Sequence, residues 1–172
     1  RAARADRGSG MSYLADLWAA IRTRALADTG TGGLFNASAP LVSGIWNNEA
    51  PNNTSLATLP LLVYDTLDAA NVDAFRTSNY RVQWRVTTYC ERMNDGIADT
   101  AARCAAIQAR ILGDWTAQTY GTGPTYGFDR WQPSLSPWSA TVCQHLRSGT
   151  AHTLEMWQFF EEFEVWVSRA GA

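Results

Sequence analysis

Cysteine and histidine, the residue types best suited to metal binding or covalent chemistry, lie close together near the C-terminal end as Cys143, His145 and His152. Zinc accepts both ligand types, and Cys143 and His145 would share one face of a strand because they are two residues apart. A fourth ligand is missing, however, and the spacing matches no common zinc motif. We therefore expect no metal site, and histidines that are solvent-exposed or satisfied by ordinary hydrogen bonds.

A cysteine could instead act as a nucleophile, with His145 or His152 as its base. Cys104 lies on the apolar face of a predicted helix, and neither Cys90 nor Cys143 stands in a recognisable nucleophile motif. The sequence therefore predicts no catalytic residue, and the chain is not expected to be an enzyme.

Three glutamates, Glu161, Glu162 and Glu164, could supply the paired carboxylates of acid–base catalysis. Only Glu162 and Glu164 share a face of the predicted strand, so a solvated acidic face is the favoured interpretation. The glycine-rich segments 30–33 and 121–124 lack the lysine and the strand–loop–helix setting of a phosphate loop. They are predicted to be turns, and no cofactor is expected.

The composition favours one folded domain. A chain of 172 residues, of which 46% are hydrophobic, is long enough to bury a core without disulfides. Its net charge of −2 argues against a protein whose main function is charge-driven nucleic-acid binding. All 14 basic residues are arginine, and the three cysteines suggest no disulfide framework, which favours a reducing compartment. No apolar run is long enough to span a bilayer, so no membrane partner is expected.

Residues 1–10 differ from the rest of the chain because they are polar and carry three arginines against one aspartate. They are predicted to form a flexible N-terminal lead-in. Since they contribute +2 to a total of −2, residues 11–172 carry −4. This longer part is predicted to be a single domain.

Hydrophobic periodicity predicts two helices. Over residues 12–25 apolar side chains recur every three or four positions, and the glycine-rich segment 29–33 ends this helix. A second amphipathic pattern covers residues 97–112 and stops at Gly113.

Alternation of apolar and polar residues predicts two long strands. One covers residues 80–89 and has two arginines on its polar side. The closing strand lies within residues 154–168 and has two glutamates on its polar side. If the strands are sheet neighbours, these charges face each other as cross-strand ion pairs. The residues involved are Arg81, Arg85, Glu162 and Glu164.

Shorter apolar runs predict further strands within residues 41–46 and over residues 61–64. Residues 65–79 are then expected to be an exposed connection with at most a helical turn. A bulge or break is expected in the closing strand near residues 160–161, because Glu161 otherwise falls on the apolar side.

The sequence thus predicts an α+β fold, with a mostly antiparallel sheet, two helices packed on one face and an aromatic-rich hairpin extension. The hairpin is assigned to strands at residues 128–132 and 138–144, joined by a proline-bounded connection.

Three segments carry a family resemblance. Residues 11–17 read Met-Ser-Tyr-Leu-Ala-Asp-Leu, residues 59–64 read Leu-Pro-Leu-Leu-Val-Tyr after an Ala-Pro at 50–51, and residues 163–168 read Phe-Glu-Val-Trp-Val-Ser. In order, they look like the first helix, the second strand and the closing strand of the tail terminator (tail-completion) proteins of long-tailed bacteriophages. The chain resembles that family over most of residues 11–172.

The resemblance implies a structural virion protein. Family members form a ring, typically a hexamer, that caps the tail tube and joins it to the neck beneath the head. The implied partners are therefore further copies of the chain, the tail tube protein and the neck or head-completion protein. DNA would pass through the lumen without sequence-specific binding. The implied location is the tail–neck junction of the virion, after assembly in the host cytoplasm.

Surface residues are then the candidates for function. Ring or partner contacts are expected from the polar loop beside Trp46 and from the charged sides of the two long strands. The candidates are Trp46, Asn48, Glu49, Asn52, Arg81, Arg85, Glu162 and Glu164.

Two alternatives remain. A head–tail adaptor or another minor tail protein is the alternative among virion proteins. A small ligand-binding or enzymatic α+β domain is the alternative of another class, in which the eight tryptophans would help to form a pocket. Such a domain would place His145, His152 or a glutamate in a cavity.

Overall fold

Two helices and six strands make up the part of the chain that the computed structural model describes, namely residues 12–47, 59–72, 79–91, 97–113, 125–152 and 156–169. The predicted α+β class, with its mostly antiparallel sheet, is confirmed. The elements are α1 (Ser12–Leu26), β1 (Ile45–Asn47), β2 (Leu61–Asn71), β3 (Asn79–Glu91), α2 (Ile97–Leu112), β4 (Trp138–Ala140), β5 (Gln144–His152) and β6 (Met156–Arg169).

The six strands form one sheet in the order β1-β2-β3-β6. The far side of β6 is lined by β4 at one end and β5 at the other. β1 runs parallel to β2, and the other pairs are antiparallel. β3 and β6 are paired along nearly their whole length and form the centre of the sheet.

The helices cover one face of the sheet because that face is apolar. Trp84 of β3 stacks on Phe163 of β6 with 4.7 Å between ring centroids, and Phe128 meets both rings edge-on. Every fourth residue of α1 is buried against this layer, as its sequence period requires. The buried set includes Tyr13, Leu17, Ile21 and Ala25 in α1, Ile107 and Ile111 in α2, Val82, Trp84 and Val86 in β3, and Phe163, Val165 and Val167 in β6.

The exposed connection predicted from residue 65 onward is wrong for residues 65–71, which belong to β2. The strand stays paired with β3 across a register shift between Thr66 and Asp68. Residues 67–71 are exposed or half-buried, so this part is held by backbone pairing and shows no hydrophobic alternation.

The predicted hairpin strands are also corrected. Residues 128–132 contain a turn and no strand, and Phe128 lies in the core. β4 covers only Trp138–Ala140. The main strand of this region is β5, whose small and polar residues give no periodic signal, and it forms the antiparallel hairpin with β6.

The bulge predicted near residues 160–161 is absent from the β3–β6 pairing, whose register is uninterrupted from Met156 to Ser168. The irregularity lies instead in β5, where the register with β6 shifts between His145 and Arg147.

The segment after Gly127 closes the C-terminal end of α2, and two glycines allow the contact. Gly113 and Gly127 have φ values of 107° and 78°, in the left-handed region that favours glycine. The two amides that follow Gly127 donate hydrogen bonds of 2.8 and 3.1 Å to the carbonyls of the last two residues of α2. These carbonyls have no partner within the helix, so the segment after Gly127 acts as its cap.

Replacing Gly127 by alanine should destabilise the fold by about 3 kcal/mol. A Cβ there would lie 2.4 Å from backbone atoms of Gly113. Gly32→Ala is the matched control, because Gly32 also has a positive φ of 70° but a Cβ there would meet nothing within 4 Å; it should cost about 1 kcal/mol. Chemical denaturation measures both losses, and equal losses would contradict the close backbone contact.

Candidate interaction surface

The face of the sheet opposite the helices carries a band of charged and amide side chains, here called the charged face. It arises because residues directly opposite each other in antiparallel strands point to the same side. Arg85 stands opposite both Asp65 of β2 and Glu162 of β6, and Glu162 stands opposite Arg147 of β5. The charged face consists of Asp65, Asp68, Arg81, Gln83, Arg85, Arg147, Glu162 and Glu164.

Glu162 is the centre of the charged face. It accepts hydrogen bonds from Arg147 at 2.6 and 3.0 Å and from Arg85 at 2.5 and 3.1 Å. Its side chain is only 6% exposed, and the Arg85 guanidinium lies 4.5 Å from the ring centre of Phe160. The hydrogen bonds from Arg147, and then those from Arg85, lower the pKa of Glu162 against the opposing effect of burial. Glu162 is therefore a buried carboxylate held in its charged form.

A looser group surrounds Glu164. Its carboxylate accepts hydrogen bonds of 3.0 Å from the Gln83 amide and 3.0 Å from the Trp166 indole. Arg81 lies 3.9 Å away on one side and bonds Asp68 at 3.3 Å on the other. The cross-strand pairs predicted from the sequence are thus confirmed. One of them, Arg81 with Glu164, is diagonal because Arg81 stands opposite Trp166.

The charged face is close to electrically neutral. Its three arginines meet four carboxylates, and each arginine has a carboxylate within 4 Å. Burial raises the pKa of Asp65, although the neighbouring Arg85 opposes the shift. A guanidinium that is already paired with a carboxylate gains little free energy by binding a phosphate group, so this face is poorly suited to strong binding of nucleic acid.

An exposed tryptophan borders the charged face. Trp166 is 42% exposed and Val72 is 43% exposed. With Thr141 they line a depression of about 370 Å³, and these three residues are here called the Trp166 patch. Tryptophan is enriched at the energetic centres of protein interfaces, so this patch is suited to contact with another protein.

Glu161 points to the opposite, helix-covered side and is 1% exposed. Its carboxylate accepts hydrogen bonds from Ser148 at 2.5 Å and from Gln108 of α2 at 3.2 Å, and it lies 2.8 Å from Nε2 of His145. The solvated acidic face predicted from the sequence is therefore wrong for Glu161 and for Glu162, both of which are buried. These partners also explain why β6 needs no bulge to turn Glu161 outward.

The irregularity in β5 builds this cluster. His145 and Ser148 are three residues apart and would face opposite sides of a regular strand. The extra residue between His145 and Arg147, Leu146, is 44% exposed and lies outside the pairing. It brings both side chains onto the face of Glu161.

Serine, histidine and glutamate are the residue types of a hydrolase triad, but their geometry here differs from one. A relay uses the two ring nitrogens separately, whereas Ser148 and Glu161 both contact Nε2 of His145, at 3.3 and 2.8 Å. The Ser148 hydroxyl also donates directly to Glu161. Surface depressions of about 540, 370 and 630 Å³ are lined by other residues. The cluster therefore has the geometry of a structural hydrogen-bond network.

The candidate metal ligands do not converge in the described residues. Cys143 is fully buried, and burial raises the pKa of its thiol, while His145 is engaged by Glu161. The side chain of His152 lies outside the described residues. Across the described ranges, no three His, Cys, Asp or Glu side chains are placed to hold a metal ion.

Of the four candidate residues in and beside the polar loop, the structure describes one. Trp46 is half-buried on β1, at the edge of the sheet, where its ring packs over Gly44. Asn48, Glu49 and Asn52 lie outside the described residues. Neither described helix has the length and apolar character needed to cross a membrane.

Comparison with known proteins gives a likeness of fold. No family model and no curated protein matches the chain. A chain of the virion of a native gene transfer agent particle is similar in structure, with a TM-score of 0.57 and 14% identity over 91% of this chain and 98% of that one. A second solved protein, which has no functional name, gives a TM-score of 0.55 and 14% identity over 92% and 98%.

Replacing Glu162 by glutamine should lower the free energy of unfolding at pH 7 by about 1–3 kcal/mol, since two arginines lose their carboxylate. Because the folded-state pKa of Glu162 is depressed, its contribution is present above the unfolded value of about 4.3 and is lost as pH falls through the folded-state pKa. The difference from wild type, measured by urea denaturation, should therefore shrink on acidification.

Glu164→Gln is the control for this prediction. Among the described residues, Glu164 has a single ion-pair contact, at 3.9 Å with Arg81. Its two oxygens accept separately from Gln83 and Trp166, so an amide keeps one of these two neutral hydrogen bonds, and the loss should be about 1 kcal/mol and independent of the arginines. Equal, pH-independent losses in the two variants would show that Glu162 is not the centre of the charged face.

Proposed function

We propose that this chain is a structural virion protein that forms a ring on the end of a phage-like tail tube and joins it to the neck, with DNA passing through the lumen. The observation that carries the proposal is the likeness of fold to a gene transfer agent virion chain, which extends over 91% of this chain and 98% of that one. The tail-terminator resemblance of the sequence supports it, since its segments 59–64 and 163–168 coincide with the start of β2 and the end of β6.

The charges of the described residues support a role in which DNA passes without being bound tightly. The three arginines of the charged face have carboxylate partners, and the whole chain carries a net charge of −2. Strong phosphate binding needs a basic excess, which this chain lacks. Its surface is better suited to protein contacts.

The Trp166 patch supports self-association. A protein interface commonly has an apolar anchor surrounded by polar groups. Trp166 is such an anchor, because it is 42% exposed and lies beside the hydrogen-bonded Glu164. In the proposed ring this patch, together with Arg81 of the charged face, contacts the next copy.

A head–tail adaptor is the second candidate, because the name of the virion particle does not say which of its parts the similar chain forms. The two candidates differ in partner. A tail terminator binds the end of the tail tube, whereas an adaptor binds the head side and leaves purified tubes unchanged. Mixing the chain with assembled tubes and imaging their ends by electron microscopy separates the two.

Light scattering over a wide concentration range should give a closed oligomer near six times the chain mass of 18.9 kDa, either with the protein alone or after addition of its tube partner. Heterologous contacts close into a ring when the rotation between copies permits it. A monomer at high concentration that also fails to associate with the tube partner would contradict the proposal.

Replacing Trp166 by serine should shift this equilibrium toward monomers by tenfold or more, because an interface anchor of this type contributes about 2 kcal/mol. Leu26→Ser is the matched control, since Leu26 is 38% exposed at the end of α1, away from the Trp166 patch. Analytical ultracentrifugation compares the two, and circular dichroism verifies that both are folded. An unchanged oligomer in the Trp166 variant would remove this patch from the interface.

A further inference from the structure

Two of the three cysteines meet in the structure although they are 14 positions apart in sequence. Cys90 is the penultimate residue of β3 and Cys104 lies in the second turn of α2. Their sulfur atoms are 2.9 Å apart, and the residues are 2% and 1% exposed. Cys143 is buried elsewhere, where its amide bonds the carbonyl of Trp131.

The two sulfurs are chemically distinct. The hydrogen bond between them lowers the pKa of Cys104 against the opposing effect of burial, and the neighbouring Arg103 guanidinium lowers the pKa of both thiols. The same hydrogen bond, together with burial, raises the pKa of Cys90. Arg103 is held in place by its hydrogen bond of 3.2 Å to the carbonyl of Leu41. Cys104 is thus the sulfur that more readily becomes a thiolate, the nucleophilic form.

We propose that Cys90 and Cys104 are an oxidative modification site, at which a disulfide joins the end of β3 to α2. The oxidant is a small disulfide of the glutathione type. The Cys104 thiolate attacks one sulfur of that disulfide and releases one glutathione thiolate. The Cys90 thiol then loses its proton and attacks the Cys104 sulfur of the mixed disulfide, which releases the second. The protein loses two protons and two electrons, and one disulfide becomes two thiols.

Both sulfurs are buried, so the oxidant reaches Cys104 when the end of β3 and α2 separate transiently, and closure of the bond then requires little movement. A disulfide bond is about 2.05 Å long, so the sulfurs need to approach by roughly 0.9 Å from their present separation of 2.9 Å. The bond would fix α2 to the central strand of the sheet. The pair is reduced in a reducing compartment and closes in an oxidising one, so its state reports the surroundings of the protein. Neither residue belongs to the charged face or the Trp166 patch, and the site is therefore independent of the proposed function.

Peptide mapping tests the cross-link directly, because cleavage after arginine leaves each cysteine in a different peptide: residues 86–92, 104–110 and 131–147. The native protein is incubated with glutathione disulfide, alkylated, digested and analysed by mass spectrometry. We expect the peptide 86–92 joined to 104–110, with 131–147 recovered as the alkylated thiol. Oxidation should also raise the midpoint of thermal unfolding of the wild type by several degrees, and a reductant should reverse the shift.

Two variants provide the controls. Cys143→Ala should still form the cross-link and still show the thermal shift. Cys104→Ala should show neither, and it should retain Cys90 as a free or singly glutathionylated thiol. Oxidised wild-type protein that keeps 86–92 and 104–110 unlinked, or that joins either of them to 131–147, would overturn the proposal without any need for a variant.

Discussion

The antiparallel pairing of β3 with β6 is the constraint on which the rest of the structure depends. The two strands keep one register over 13 residue pairs, so Trp84 meets Phe163 on the helix side and Arg85 meets Glu162 on the other. A slip of one residue would turn the arginines toward the helices and Trp84 toward solvent. Each ion pair of the charged face contributes only a modest free energy. These pairs form only in the register that also buries the core side chains, so both faces of the sheet favour the same pairing.

β5 adapts to this fixed pair. Glu161 is opposite Val86 in the core-facing series of β6, where an unpaired carboxylate would be costly. Gln108, His145 and Ser148 satisfy it, and two of these residues reach it only because Leu146 bulges out of β5. The bulge thus serves a buried carboxylate in the neighbouring strand. The cluster joins α2, β5 and β6 at the point where the core would otherwise contain an unpaired carboxylate.

The sequence predicted what depends on local periodicity. Both helices, the β3 alternation and the pairing of arginines with glutamates follow from patterns within a few residues. Features that depend on distant partners give no local signal: the distal half of β2, which pairs with β3; the polar β5, which pairs with β6; and the burial of Glu161. The contact between Cys90 and Cys104 is of the same kind, because it requires knowing that α2 packs on β3. The Trp166 patch is likewise defined by three separate segments.

One face of the sheet packs in the core and the other carries internal ion pairs, so the edges and the Trp166 patch are the surfaces that the proposed assembly would use for contacts with other proteins. Immunogold electron microscopy of intact particles, with an antibody raised against this chain, tests the proposed position most directly. We expect gold at the junction between tail and head, once per particle. Particles that carry no label, with the chain recovered only in the soluble fraction of the lysate, would contradict a structural role in the virion.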